Sequence, residues 1–317
     1  MSRGRSRRRT RARCEPTPGS GRRAWLCAGL ASVALGLASL WPLGCHRSPS
    51  ATGRAPRVVS VSPNTTETVF AIGAGALLVG RSSFCDQPEA AKALPVVGGF
   101  ADPSVEAIVG LQPTLVVGDR GPAGPALEQR LQAHGIDTYF PAVESVADIS
   151  RMMLGLGERL DHAQAARELV AQLERDIRVV ADRAASRPPV KAVLVFDPTP
   201  IVVAGPGGFA DEILRLAGGQ NLIDRGGAYP TIGLERLLAL DPDVIVDATE
   251  VGAASKPAEA VAARSSLADK PGWSELRAVR SGRMPVLRGS AALRPGPRIA
   301  QGLDELERAL HPEAPSP

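Results

Sequence analysis

The 317 residues carry 37 Lys and Arg against 33 Asp and Glu, a formal net charge of +4, and only 3% of them are aromatic. The basic excess belongs to the start of the chain: nine Arg and a single acid, Glu15, fall within the first 23 residues, and from Cys45 onward 28 basic side chains face 32 acidic ones, a net of −4. That balance gives no reason to expect a nucleic-acid partner, which would need a basic folded face, and the roughly 270 residues beyond position 44 suit one large or two medium α/β domains.

Residues 1–44 read as a signal peptide. A basic stretch is followed by an apolar run from Ala24 to Leu43 and then by Leu43-Gly44-Cys45, the order of a secretory signal. Cys45 is then the lipidated first residue of a lipoprotein, although Pro42 stands where such signals usually carry an aliphatic residue. An uncleaved transmembrane anchor is the alternative, because the run is near the length that spans a bilayer. Both readings place the rest of the chain on the periplasmic or extracytoplasmic face. Residues 45–56, rich in Ser, Pro, Ala and Gly, read as a flexible tether. With Cys14 and Cys27 in the signal and Cys45 lipidated, Cys85 stands alone, so no intrachain disulfide is expected.

Residues 57–150 alternate strand-like and helix-like stretches, which predicts an N-terminal α/β lobe with a parallel sheet. The strands are 57–61, 77–80, 114–118 and 136–140; the helices are 65–72, 104–111 and 123–134. Residues 151–187 form a bridging helix region. With Asp161 as N-cap, positions 163–185 contain neither Gly nor Pro and set Ala166, Leu169, Val170, Leu173, Ile177 and Val180 on one face. Such a helix is about 35 Å long and restrains the lobes it joins. Residues 188–311 repeat the alternation as a C-terminal lobe, with strands at 191–196, 243–247 and 284–287 and helices at 209–217, 234–240 and 297–310. Residues 312–317 read as a disordered tail. The predicted fold class is α/β, two Rossmann-like lobes bridged by one long α-helix with a ligand cleft between them.

One phrase occurs twice, 129 positions apart. Residues 105–117, VEAIVGLQPTLVV, align without a gap to residues 234–246, LERLLALDPDVIV. Each copy reads as a short helix ended near a Pro and followed by a buried β-branched strand. The spacing is too long for a solenoid and implies two similar lobes. Glu106 and Glu235 occupy the same place near the helix start; either alone suits the helix dipole, and together they suggest one negative knob per lobe.

Ordered along the chain, 57–67 (RVVSVSPNTTE), 79–86 (VGRSSFCD), 94–100 (LPVVGGF), 217–222 (AGGQNL), Tyr229-Pro230 before the second repeat, and 293–298 (LRPGPR) resemble the periplasmic cobalamin-binding proteins of ABC importers. The wider group includes haem and ferric-siderophore receptors. The resemblance implies a monomeric substrate-binding protein without a cofactor, whose ligand is a corrinoid such as cobalamin, or else haem or a ferric siderophore. It also implies delivery to an ABC permease dimer with ATPase subunits, and docking through Glu106 and Glu235. It places Phe84, Phe100, Asp119, Arg120, Gly207, Phe209, Tyr229 and Arg294 at the cleft. Phe100 and Tyr229 stand where Trp is familiar in the best-known cobalamin receptors.

Other classes fare less well. The Gly-rich stretch 203–211 has the spacing of neither a dinucleotide fingerprint nor a phosphate loop, and no nucleophile elbow occurs, so no enzyme is expected. His46, His134, His162 and His311 lie in four separate contexts, which leaves no cluster for a metal site. A non-transport interaction module is a third option.

Overall fold

A computed structural model describes residues 56–121, 124–249, 267–287, 291 and 293–312. The signal, Cys45, the tether as far as residue 55 and tail residues 313–317 lie outside the described residues.

In the first lobe, β1 (Val58–Ser60), β2 (Leu78–Arg81), β3 (Leu115–Val117) and β4 (Asp137–Tyr139) form a parallel sheet in the order β2-β1-β3-β4. Its central β-branched runs are fully buried, as strands covered on both faces must be. Helices α1 (Pro63–Ala71), α2 (Val105–Gly110) and α3 (Gly124–Ala133) connect the strands. The chain passes from β1 to one side and then back to the other, so the carboxyl ends of β1 and β3 flank a switch point, the usual place for a site in an open α/β sheet.

Two helices follow rather than one. Helix α4 (Val146–Arg159) starts behind a Ser145 cap whose Oγ accepts the Asp148 N–H at 3.1 Å, while Asp148 Oδ2 accepts the Glu144 N–H at 3.2 Å. The boundary expected at 150/151 therefore falls inside α4. Helix α5 is the predicted bridge, Ala163–Ala185. Asp161 is not its N-cap: it adopts φ +61 in the turn between the helices, and His162 caps α5 without a side-chain bond. The crossing is tight, because a Cβ added to Gly157 would stand 2.3 Å from the Ala166 Cβ.

The second lobe departs from the expected all-parallel sheet. β5 (Val190–Pro198) pairs in parallel with β7 (Gly219–Asn221) and β9 (Val244–Asp247), but β6 (Ile201–Val203) runs antiparallel to it and β8 (Thr231–Ile232) antiparallel to β6. Thr199 and Pro200 alone join β5 to β6, which permits only a hairpin. The strand expected at 284–287 is reduced to one parallel bridge, Asp247 with Val286, because Pro285 has no N–H to give the ladder. Helices α6 (Phe209–Leu216), α7 (Leu234–Leu240), α8 (Arg277–Arg280) and α9 (Ile299–Leu310) complete the described lobe.

One continuous core runs through both lobes. Val58, Val69 and Leu115 of the first lobe join Met152, Met153 and Leu156 of α4, then Val170, Leu173 and Ile177 of α5, then Leu194, Ile213 and Leu303 of the second lobe. The doubled phrase keeps one backbone feature in both copies. Gln112 and Asp241, at matched positions, adopt φ +49 and +42 immediately before Pro113 and Pro242. A residue preceding Pro is disfavoured in the right-handed helical region, and both copies leave the helix through the left-handed one.

Candidate ligand cleft

At the switch point of the first lobe, the Asp119 N–H donates to Ser62 Oγ at 2.9 Å, tying the ends of β3 and β1. Burial raises the Asp119 carboxyl pKa, against bonds from Ser62, the Gly121 backbone and Asn64. The Phe100 ring lies over Gly121, where an added Cβ would stand 2.5 Å from its Cζ; Phe100 and Asp119 line one small hollow with Ser62 and Phe140. Phe84 is exposed with its ring beside Gly99, and Arg120 is exposed next to Asp119. Of the four predicted residues of this lobe, Phe100 and Asp119 share that hollow, while Phe84 reaches only Gly99, the neighbour of Phe100, and Arg120 follows Asp119 in the chain.

In the second lobe the predicted positions gather at the turn entering α6. Gly207 takes φ +79 and donates its N–H to Asp211 Oδ2 at 2.9 Å. Asp211 Oδ1 accepts from Asn221 Nδ2 at 2.9 Å, and Arg215 pairs with the same carboxylate. Burial works to raise the Asp211 pKa, but the Gly207 N–H, Asn221 and Arg215 outweigh it and hold the carboxyl below its ordinary value. A Cβ on Gly205 would meet Gly227 O at 1.9 Å, so the 226–230 loop crosses directly over the turn. That loop presents Tyr229, exposed, with its ring edge-on to Phe196 at 5.2 Å and 67°. Its hydroxyl pKa is raised by its surroundings and by Glu144, which precedes α4. A hollow of about 290 Å³ lies where Glu144 and Ser145 meet Gly207, Gly208 and Glu212, and Glu212 accepts the Val146 N–H at 2.8 Å.

Two predicted cleft residues are placed differently. Phe209 is buried in the shared core beneath the turn. Arg294 is engaged in ion pairs, its Nη1 lying 2.7 Å from Glu67 Oε1 and 2.9 Å from Asp86 Oδ1. Arg298 joins Glu67 through Nε at 2.8 Å and Nη2 at 2.9 Å. The sequence reading gave no role to Glu67, Asp86, Arg298 or Asp211. The Asp211/Arg215 spacing of four was a usable helical signal; Glu67 had none, since its partners lie more than 200 residues away.

Glu106 and Glu235 are each the second residue of their helix, α2 and α7, and both are exposed. Their surroundings differ. Ser104 caps α2 through the Ala107 N–H at 3.1 Å and donates to Glu106 at 3.2 Å, whereas Gly233 gives α7 no side-chain cap. The Glu106 pKa is lowered, by its backbone N–H first and then by Ser104. Among the described residues no cluster of His, Cys, Asp and Glu is placed to hold a metal, and no helix is long and apolar enough to cross a membrane.

Two α/β sheets joined through packed helices, with polar and aromatic groups at the strand ends, define a two-lobed binding protein. The chain belongs to the periplasmic binding protein family, whose sequence profile matches residues 58–291. It is 31% identical over 193 residues to the vitamin B12-binding protein of Yersinia pseudotuberculosis, covering 61% of this chain and 69% of that one. A periplasmic haem-binding protein of Pseudomonas aeruginosa superposes with a TM-score of 0.73 at 29% identity, over 82% of this chain and 94% of that one. The periplasmic vitamin B12-binding protein of Vibrio cholerae shares the fold, with a TM-score of 0.66 at 24% identity over 81% and 96% of the two chains. The chain is a binding protein, as these relatives are, and not an enzyme.

Proposed function

We propose that the protein is the extracytoplasmic substrate-binding lipoprotein of an ABC importer, anchored through Cys45, that captures cobalamin or a related corrinoid and delivers it to a permease dimer driven by ATPase subunits. The observation that carries the ligand class is the 31% identity to a vitamin B12-binding protein. Phe84, Phe100, Asp119 and Arg120 supply one wall, with Arg294 held beside it by Glu67 and Asp86; Gly207 and Tyr229 supply the other. Aromatic faces with a few fixed polar groups suit a large, flat ligand. Glu106 and Glu235, exposed at equivalent helix starts, supply two symmetric carboxylates for a two-fold partner, where exposed charges steer encounter and fix register. A second reading is haem, favoured by the 29% identity and TM-score of 0.73 to a haem-binding protein; a ferric siderophore is the third. Titration of the purified protein with cyanocobalamin, haem and a ferric siderophore decides among them: micromolar or tighter corrinoid binding supports the proposal, and tight haem binding without it moves the function to the second reading. Mass spectrometry of membrane-extracted protein should find a lipid adduct on Cys45; intact residues 1–44 would show an uncleaved anchor instead.

A further inference from the structure

Four charged side chains meet where the segment leading into α9 crosses α1. Glu67 is only 5% exposed and accepts from Arg298 Nε at Oε2 and from Arg298 Nη2 and Arg294 Nη1 at Oε1. Arg294 Nη1 also donates to Asp86, whose side chain is 50% exposed two residues beyond Phe84. The same segment sets Gly296 against Asn64 at the start of α1, just past the carboxyl end of β1, which puts the cluster beside the cleft.

Arg294 already faces two carboxylates, Glu67 and Asp86. A ligand carboxylate approaching Arg294 finds the guanidinium charge already countered and meets Asp86 as a like charge. A neutral amide oxygen meets no such repulsion. Nη1 has committed its two hydrogens to Glu67 and Asp86, while Nε and Nη2 donate to no described residue. We propose that Asp86 is a specificity-determining residue: by pairing with Arg294 at the cleft edge, beside the Glu67 carboxylate, it makes that arginine a receptor for neutral amide oxygens and turns it against carboxylates. This rests on the corrinoid reading, since the peripheral side chains of cobalamin end in amides and those of haem in carboxylates.

The test uses one ligand scaffold. Dissociation constants are measured for cyanocobalamin and for each separated monocarboxylic acid made by hydrolysing one peripheral amide, on the wild type and on Asp86→Asn. Taking the ratio within each preparation cancels any inactive fraction. The wild type should bind at least one acid about tenfold more weakly than the amide, and Asp86→Asn should shrink that ratio by about fivefold or more. A wild type that does not distinguish the acids, or an Asp86→Asn variant that keeps the full ratio, overturns the role of Asp86 and leaves the corrinoid reading standing. A wild type that binds haem tightly and neither corrinoid form overturns both.

Discussion

Glu67→Gln removes one buried charge with little change of shape. In the folded protein this carboxylate accepts three bonds from two guanidinium groups at 2.7–2.9 Å. Breaking a buried pair by neutralising one partner costs about 3–5 kcal/mol. Arg294 and Arg298 retain 17% and 31% exposure, so water recovers part of that and a loss of about 2–4 kcal/mol is expected. For a domain of this size each kcal/mol moves the melting temperature by about 2–4 °C, which gives a fall of roughly 4–16 °C by circular dichroism. The exposed Arg130–Glu106 pair, 3.4 Å apart, is the internal control; Glu106→Gln should leave the melting temperature in place. Combining Glu67→Gln with Arg298→Met should cost less than the sum of the single changes, since the two residues share one interaction. A Glu67→Gln protein melting within about 1 °C of wild type would refute the assignment of these bonds as a principal tie between the lobes.

Reversing Glu106 or Glu235 to Arg should impair docking to the permease and reversing both should nearly abolish it, while ligand affinity stays almost unchanged; a double variant that docks but no longer binds ligand would overturn the two-knob reading. Because the Glu106 pKa is lowered, its docking charge should persist as the medium turns mildly acid, which a docking titration against pH would show. Phe100→Ala, Tyr229→Ala and Arg294→Ala should each weaken corrinoid binding by about 1–3 kcal/mol in calorimetry. Scattering curves with and without ligand should nearly superimpose, given the core shared through α4 and α5; a large fall in radius of gyration would count against the bridge. The depressed Asp211 pKa means its stabilisation is present above the unfolded carboxyl pKa of about 3.9 and is lost as pH falls through the lower folded value. Asp211→Asn should therefore be less stable than wild type at neutral pH, with the gap closing in strong acid.

Elements with a clear period were legible: 234–240 and 163–185 emerged as read, and most others within two or three residues. Helix α4 was not, because Gly155 and Gly157 interrupt its pattern: an added Cβ would run into Tyr139 at the first and into Ala166 of α5 at the second. The β5–β6 hairpin was hidden because β6 is only Ile201–Val203 and follows Asp197-Pro198-Thr199-Pro200, a loop signal that ended the predicted strand at 196. Exposure of Glu106 and Glu235 was legible because the repeat supplied an internal comparison. The pairing of Arg294 was not, since nothing local in 293–298 points to a carboxylate on the first helix. The family resemblance put Phe209 at the cleft together with the Gly turn, but as the first residue of α6 its side chain is buried in the core.

The tie between Glu67 and Arg298 spans 231 positions of sequence, and α9 closes the central core with Ile299, Leu303, Leu306 and Leu310. The first helix of the fold thus finds its buried counter-charges, and α5 one of its covering faces, only in a segment far along the chain. Contacts of such separation form late, after the loop entropy between them has been overcome. Without α9, Glu67 would keep a buried charge short of its counter-charges and α5 would lose one covering face, so the two lobes lock together only when that helix docks.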